Sequence, residues 1–414
     1  MARRRIVIVN DASIARGGAT SLALLAAEDF VARGHEVIWI AGDSGHGPEL
    51  DALGIEVVAL GGQPLLDLPS HTALHAGIRN GAARDLVARF VAERDTPGTV
   101  YHTHSWAQIF SPELFSALAP VSRRTVIHAH DVFLACPNGV YMDYRHDKVC
   151  TRVPLSADCL ATHCDKRSYP QKLWRVLRQA NLRRHLRDGS GWGAILVLHP
   201  EMTERLTRAG YREDRVRVVR NPVVPFSETR IAAEDNRSLV YVGRLEPDKG
   251  VGTLAEASAR TGVPVTLIGD GPMRPMLEAM DAPLTLTGWA DRDRIGGLVR
   301  DARALVMPSR HPEPFALVIA EAAASGLPVL VSDTALMARE VAENGLGHAV
   351  NIADPARLDA ALAGMMETPD AEVRAMSERG FGGEARLGLT RSEWIDAQEA
   401  EYDRLLGSLR ASAA

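Results

Sequence analysis

Apolar residues in this chain come in short, dense runs, and the longer stretches between them carry helical spacing. Residues 6–9, 36–40, 56–60, 100–104, 125–130 and 194–199 read as strands covered on both faces, with helical stretches such as 19–33 between several of them. Strands alternating with helices across 1–222 predict a doubly wound α/β domain on a parallel sheet. The pattern lapses over 223–237, which is polar and reads as a linker. It restarts with strands at 238–243, 265–269, 284–287, 304–307 and 329–332, so 238–390 is a second α/β domain of the same kind. A terminal segment, 391–414, is helical and amphipathic, with Trp394, Ile395, Tyr402, Leu405 and Leu406 on one face. We expect it to cross back onto the first domain.

Length supports this division, because 414 residues exceed one ordinary core. Apolar content of 46% and charged content of 24% are those of a soluble globular protein. The net charge of −5 gives no ground for a nucleic-acid partner. The start, MARRRIVIVN, runs directly into a strand, and no apolar run approaches membrane-spanning length, so the expected location is the cytoplasm.

Candidate chemistry gathers at the carboxyl ends of the expected strands. The stretch 307–331 reads strand, tight proline-rich loop, helix, strand. Glu313 stands before the helix and Glu321 two turns inside it, on roughly one face. Between them the N–H groups of Phe315, Ala316 and Leu317 lie where an uncapped helix start invites an anion. Arg244 and Lys249, in YVGRLEPDKG, sit between a strand and a helix, where open sheets bind ligands. They either hold phosphate oxygens or pair with Glu246 and Asp248. In the first domain Gly17 and Gly18 permit close backbone approach at a strand-to-helix junction.

Taken in order, Gly17-Gly18, GRLEPDKG at 243–250, IGDGP at 268–272 and EPFALVIAE at 313–321 resemble the retaining glycosyltransferases of family 4. The resemblance implies a GT-B fold, two Rossmann-like domains facing each other across a cleft, and transfer from a nucleoside-diphosphate-sugar to a saccharide or lipid-linked hydroxyl with retention. No cofactor is required by it. By the same resemblance Arg244 and Lys249 bind the diphosphate, Glu313 holds donor-sugar hydroxyls and Glu321 holds the ribose. Gly243, Gly269, Pro314, Phe315, Ala316 and Leu317 complete the donor-binding set, and Gly18 approaches from the first domain. Pro314 and Ala316 stand where the family has glycine, which bears on the choice of sugar. His130, in IHAHDVFLACPNG, matches the family histidine that faces the donor sugar, with Asp131 orienting it or touching the acceptor. His128 reads as a buried structural histidine.

Three features lie outside that pattern. Cys136, Cys150, Cys159 and Cys164 cluster within one stretch without a CxxC knuckle, and both a structural zinc and free or redox-sensitive thiols remain open. Residues 166–187 carry eight Lys or Arg and no acid, with Leu173, Trp174, Val176 and Leu177 as an apolar side. This suits an anionic membrane surface or, equally, a core-packed helix with a solvated basic face. Asp291-Arg292-Asp293 spells DxD, but its place before a helix makes it an N-cap and a first-turn acid, so no catalytic metal is inferred. A nucleotide-sugar epimerase or phosphorylase on the same fold, or a silent binding subunit, is the alternative function.

Overall fold

The computed structural model describes residues 3–15, 17–186 and 191–413. Contacts divide the chain into two compact units: Met1–Arg145 with Cys150–Val219 and Ser392–Ala414, and His146–Val149 with Arg220–Arg391.

The first unit is built on β1 (Arg5–Asn10), β2 (Glu36–Ala41), β3 (Glu56–Ala59), β4 (Thr99–Thr103), β5 (Thr125–Ala129), β6 (Ala194–Val197) and β7 (Val216–Val218). They form one sheet in the order β3-β2-β1-β4-β5-β6-β7, and every neighbouring pair is parallel. β1 lies near the centre, with Ile6 beside Val37 on one side and Val100 on the other. Its residues Ile6 to Val9 are fully buried because helices cover both faces, which is why the strand reads as an unbroken apolar run. β5 and β6 end at Ala129 and Val197, so His130 and His199 fall just past their strands rather than inside them. β7 was not legible in the sequence, since Arg217 interrupts its short apolar run.

Four helices of this unit matter below: α1 (Gly18–Ala32), α2 (Gly81–Arg94), α3 (Tyr169–Leu186) and a late one, Arg391–Ala413, almost all of which belongs here. In that late helix Trp394, Ile395, Tyr402 and Leu405 are each at most 2% exposed. Polar contacts fix it as well. Arg33, after α1, reaches Asp396 and Glu399 at 2.6 Å, His35 reaches Glu399 at 2.6 Å, and Arg4 pairs with Asp403. Glu399 is buried with both partners in place, the arrangement a buried carboxylate needs.

The second unit holds β8 (Leu239–Val242), β9 (Val265–Ile268), β10 (Leu284–Gly288), β11 (Ala304–Met307), β12 (Val329–Ser332) and β13 (Gly347–Val350), all parallel, in the order β10-β9-β8-β11-β12-β13. Its core joins Leu239, Val251, Leu254, Leu267, Val306, Leu330, Leu358 and Leu362. β13 escaped the sequence reading because it is an edge strand whose central His348 and Ala349 face solvent. The stretch 223–237 is packed into this unit instead of serving as a free linker. Ile231 and Ala233 are buried, and the Phe226 and Ser227 N–H groups donate to Ser325 Oγ at 2.8 and 3.4 Å. Its polar residues satisfy backbone groups, as when Asn236 donates to the Arg300 and Ala302 carbonyls at 2.7 and 2.9 Å, so polarity there does not mark exposure.

Candidate functional site

In the second unit three strand ends are drawn together by glycines. Gly250, at φ 72°, closes the loop after β8, and a Cβ there would lie 1.8 Å from the Pro308 carbonyl oxygen after β11. Gly269, after β9, has φ 143°, and a Cβ on it would lie 1.9 Å from the Gly243 oxygen. Side chains at either position are excluded by space and by backbone conformation alike. This close approach brings Lys249 onto Glu313, with Nζ 2.5 Å from Oε1. The same oxygen accepts from Ser309 Oγ at 3.0 Å and lies 3.3 Å from His311 Nε2. Burial works against the charge on Glu313, yet the contacts from His311 and Lys249 win and hold its carboxyl well below the usual range.

Helix α4 (Val251–Thr261) follows the Lys249 loop, α5 (Arg292–Leu298) follows β10, and α6 (Leu317–Ala324) follows Glu313. The helix starts two residues later than the composition indicated. Ala316 is its N-cap and has no side-chain cap bond, so Phe315 and Ala316 precede the first turn and only Leu317 opens it. Both residues before the turn are buried, and Pro314 next to them is half-buried. Glu321 sits one turn inside α6 and its Oε1 meets Arg292 at 3.0 Å. Burial pushes the Glu321 carboxyl up, opposed by Arg292. The sequence reading missed this arginine because it fell inside the DxD triplet. Asp291 is indeed the N-cap of α5, accepting from the Arg294 N–H at 2.9 Å. Arg244 stands apart: its side chain is 71% exposed and pairs with Glu246 at 2.7 Å.

In the first unit His130 lies immediately after β5, and it is not alone. His102 and His104 at the end of β4, with His128 and His130 at the end of β5, form a ladder of four imidazoles. His104 Nδ1 lies 3.0 Å from His130 Nε2, and His128 Nδ1 lies 3.2 Å from His102 Nε2. The rings of His128 and His130 stack at 4.3 Å with 12° between planes. At the far end His102 Nδ1 meets the Tyr402 hydroxyl at 2.5 Å, tying the ladder to the helix Arg391–Ala413. Burial pushes all four histidines down, His130 to about 4, so the ladder is neutral at pH 7. His104 Nε2, His128 Nε2 and His130 Nδ1 are buried without a partner. The sequence pointed to His128 and His130 but not to His102 and His104. Both pairs are His-x-His at a strand end, and period two sets each pair on one face.

Asp131 is exposed and accepts from the Phe133 N–H at 2.8 Å. Gly17 and Gly18 open α1, and a Cβ on either would have nothing within 4 Å. Asp11, just after β1, is buried and gathers the N–H groups of Gln108, Ile109 and Phe110 at 2.7 to 3.0 Å. It thereby fixes the loop that follows β4 beside the loop that follows β1.

The four cysteines line one small cavity together with Lys172. The thiols are free, and among the described residues the one set of three metal-capable atoms lying within 4.8 Å of one another is His102, His104 and His128. The cysteine sulfurs are more widely spread than a preformed tetrahedral zinc site requires. The basic stretch forms α3, with Arg187 outside the described residues. Its buried positions are Lys172, Gln179, Leu182 and Leu186, while Leu173 and Leu177 are 42% and 61% exposed. The apolar side expected from the sequence is therefore only partly turned inward. Among the described residues no helix is long and apolar enough to cross a membrane.

Comparison with known proteins gives these features a setting. Residues 236–368 match a model of the glycosyl transferases group 1 family. A glycogen synthase of Mycobacterium tuberculosis is 28% identical over 273 residues, covering 61% of this chain and 62% of that protein. The chain thus spans under two thirds of that relative's length. Among solved structures, sucrose-phosphate synthase from Thermosynechococcus elongatus superposes with a TM-score of 0.68 at 17% identity, covering 98% of this chain and all of that one. Anabaena HepE, solved in complex with UDP and glucose, gives 0.64 at 17% identity, with 96% and 99% covered. Similarity to the group 1 glycosyltransferases is thus carried by the second unit, and the two parallel-sheet α/β units have the GT-B fold.

Proposed function

We propose that the protein transfers a sugar from a nucleoside-diphosphate donor to a hydroxyl of a saccharide or lipid-linked acceptor, with retention of anomeric configuration. The observation that carries this reading is the Lys249–Glu313 pair at the carboxyl end of the second sheet, next to the uncapped start of α6. A cation and free backbone N–H groups suit a diphosphate, and a carboxylate kept ionised suits sugar hydroxyls.

In this mechanism Lys249 and Arg244 neutralise the charge that develops on the departing diphosphate. Arg244, which is exposed, exchanges Glu246 for a phosphate oxygen when the donor arrives. Glu313 accepts from hydroxyls of the donor sugar, and Glu321, held by Arg292, accepts from the ribose. Gly18 lets the backbone at the start of α1 approach the diphosphate. His130 faces the donor sugar through Nδ1, the ring nitrogen that His104 leaves free, and Asp131 contacts the acceptor. The attacking hydroxyl enters on the face that the diphosphate leaves and passes its proton to a departing phosphate oxygen.

Incubation with a panel of nucleotide-sugars tests the proposal. Release of nucleoside diphosphate, slow alone and fast with an acceptor, is expected from one donor. Interconversion of the sugar without release indicates an epimerase, and binding without turnover indicates a silent subunit; either result rejects transfer.

For a lipid-linked acceptor, α3 is the surface we assign to membrane contact. Leu173 and Leu177 project from it, with Lys166, Arg167 and Arg184 exposed around them. Vesicles with anionic lipid should float the protein at low salt, and Leu177→Asp should abolish flotation. Wild-type protein that stays in the soluble fraction rejects this surface.

A further inference from the structure

Lys172 is 1% exposed, in the first turn of α3, and donates to two sulfurs: Cys164 Sγ at 3.0 Å and Cys159 Sγ at 3.6 Å. A lysine on a basic helix ordinarily reaches water, and burying an ammonium is costly unless an anion or lone pair meets it. Here soft sulfur atoms surround it. Asn138 supports the same cluster, donating to Cys164 Sγ at 3.7 Å and accepting from the Cys136 thiol at 3.0 Å. All of them border the cavity described above, whose volume of about 10 Å³ is close to the space of one water. Burial pushes the Lys172 ammonium down while the Cys164 sulfur pushes it up, and the latter prevails; burial pushes the Cys164 thiol up, opposed by Lys172.

We propose that Lys172 and Cys164 are an oxidative cross-linking site, at which dioxygen or a peroxide joins the lysine nitrogen to the cysteine sulfur through one oxygen atom. With dioxygen the balance is simple. The neutral amine gives up one hydrogen and the thiol gives up its own; both leave with one oxygen atom as water, and the other oxygen forms the N–O and O–S bonds. With hydrogen peroxide, two molecules supply the bridging oxygen and three waters leave. Four equivalents of a small thiol reverse the step, returning amine, thiol and one water with two disulfides of the reductant. An N–O–S bridge spans a gap only slightly shorter than the existing contact, so the cross-link forms without moving α3. It ties this helix to the segment Ala157–Ala161 and the loop after it. A metal among the four sulfurs would occupy these same lone pairs and block the step.

The experiment treats the full-length protein with hydrogen peroxide, then digests it with trypsin for mass spectrometry. Cleavage at Lys166 and Arg167 separates Cys164 from Lys172 unless they are joined. The expected product links residues 153–166 to 168–175, uncut at Lys172 and heavier by one oxygen less two hydrogens, and it disappears on reduction. Cys164→Ser and Lys172→Met should each abolish it, while Cys159→Ser retains it. If one variant fails to fold, the other carries the test. Protein whose cysteines oxidise to sulfinic acid or disulfide with Lys172 still cleavable overturns the proposal. So does stoichiometric zinc in the purified protein with thiols that resist peroxide.

Discussion

The carboxyl ends of the two sheets hold polar groups of opposite character. In the first unit four imidazoles from β4 and β5 are buried as a neutral ladder, joined by hydrogen bonds and ring stacking and closed by Tyr402. In the second, Glu313 and Glu321 are largely buried and each has a cation, Lys249 or Arg292. The two arrangements hold buried polar side chains through different terms, and the ladder leaves three ring nitrogens without a partner. The ladder depends on staying uncharged, since burial makes a charge on any of its rings costly. The pairs depend on staying charged, since neutralising one partner strands the other. One architecture therefore carries a region that suffers from acid through gained charge and another that suffers through lost charge.

The strongest way to break the contrast is Lys249→Ala. It removes the cation from Glu313 and from the proposed diphosphate site together, and transfer should fall about 10²-fold or more with circular dichroism unchanged. Near wild-type turnover would remove Lys249 from the mechanism. Tyr402→Phe probes the other side, leaving His102 Nδ1 buried and unpaired, and should cost about 1–3 kcal/mol in urea unfolding. Activity measured below the unfolding range should change far less.

Acid sharpens the comparison. The histidines are held below their ordinary 6.5, so between that value and about 4 the unfolded chain binds protons that the folded ladder refuses. Their stabilisation is complete above pH 6.5 and is lost as pH falls toward 4, whereas Glu313 loses its contribution only at lower pH still. Thermal midpoints across pH 4 to 7.5 should decline most over the histidine range, and His128→Gln should flatten that decline. A midpoint independent of pH there would show that the ladder is not neutral. Smallest is Glu321→Gln, which keeps the shape of the side chain and weakens one hydroxyl contact. KM for the donor should rise about tenfold with kcat little altered.

These two regions were not equally legible in the sequence. Glu313, Glu321, Arg244 and Lys249 stand in short motifs beside glycines and prolines whose backbone demands are local, so the loop and helix around them could be read directly. Arg292 could not, because its partner is fixed by how α5 and α6 meet in space rather than by its neighbours in the chain. Half the ladder was visible as His-x-His after one strand; the other half needed the pairing of β4 with β5. Lys172 was read as part of a basic face, since helical spacing gives no sign that a cluster of sulfurs will draw one lysine inward. The strands of the two parallel sheets were recovered except β7 and β13, where exposure on one side dilutes the apolar run.

The helix Arg391–Ala413 imposes an order on synthesis. Trp394, Ile395 and Tyr402 complete the interior of the first unit, yet the ribosome makes them only after every strand of the second. The earlier-made half must wait, with its seat for Trp394 and the hydroxyl partner of His102 empty, while the later-made half can fold at once. A nascent chain stalled before residue 391 should therefore resist protease over 220–390 and yield to it around β1 and α1, reversing the usual sequence in which the amino-terminal portion matures first.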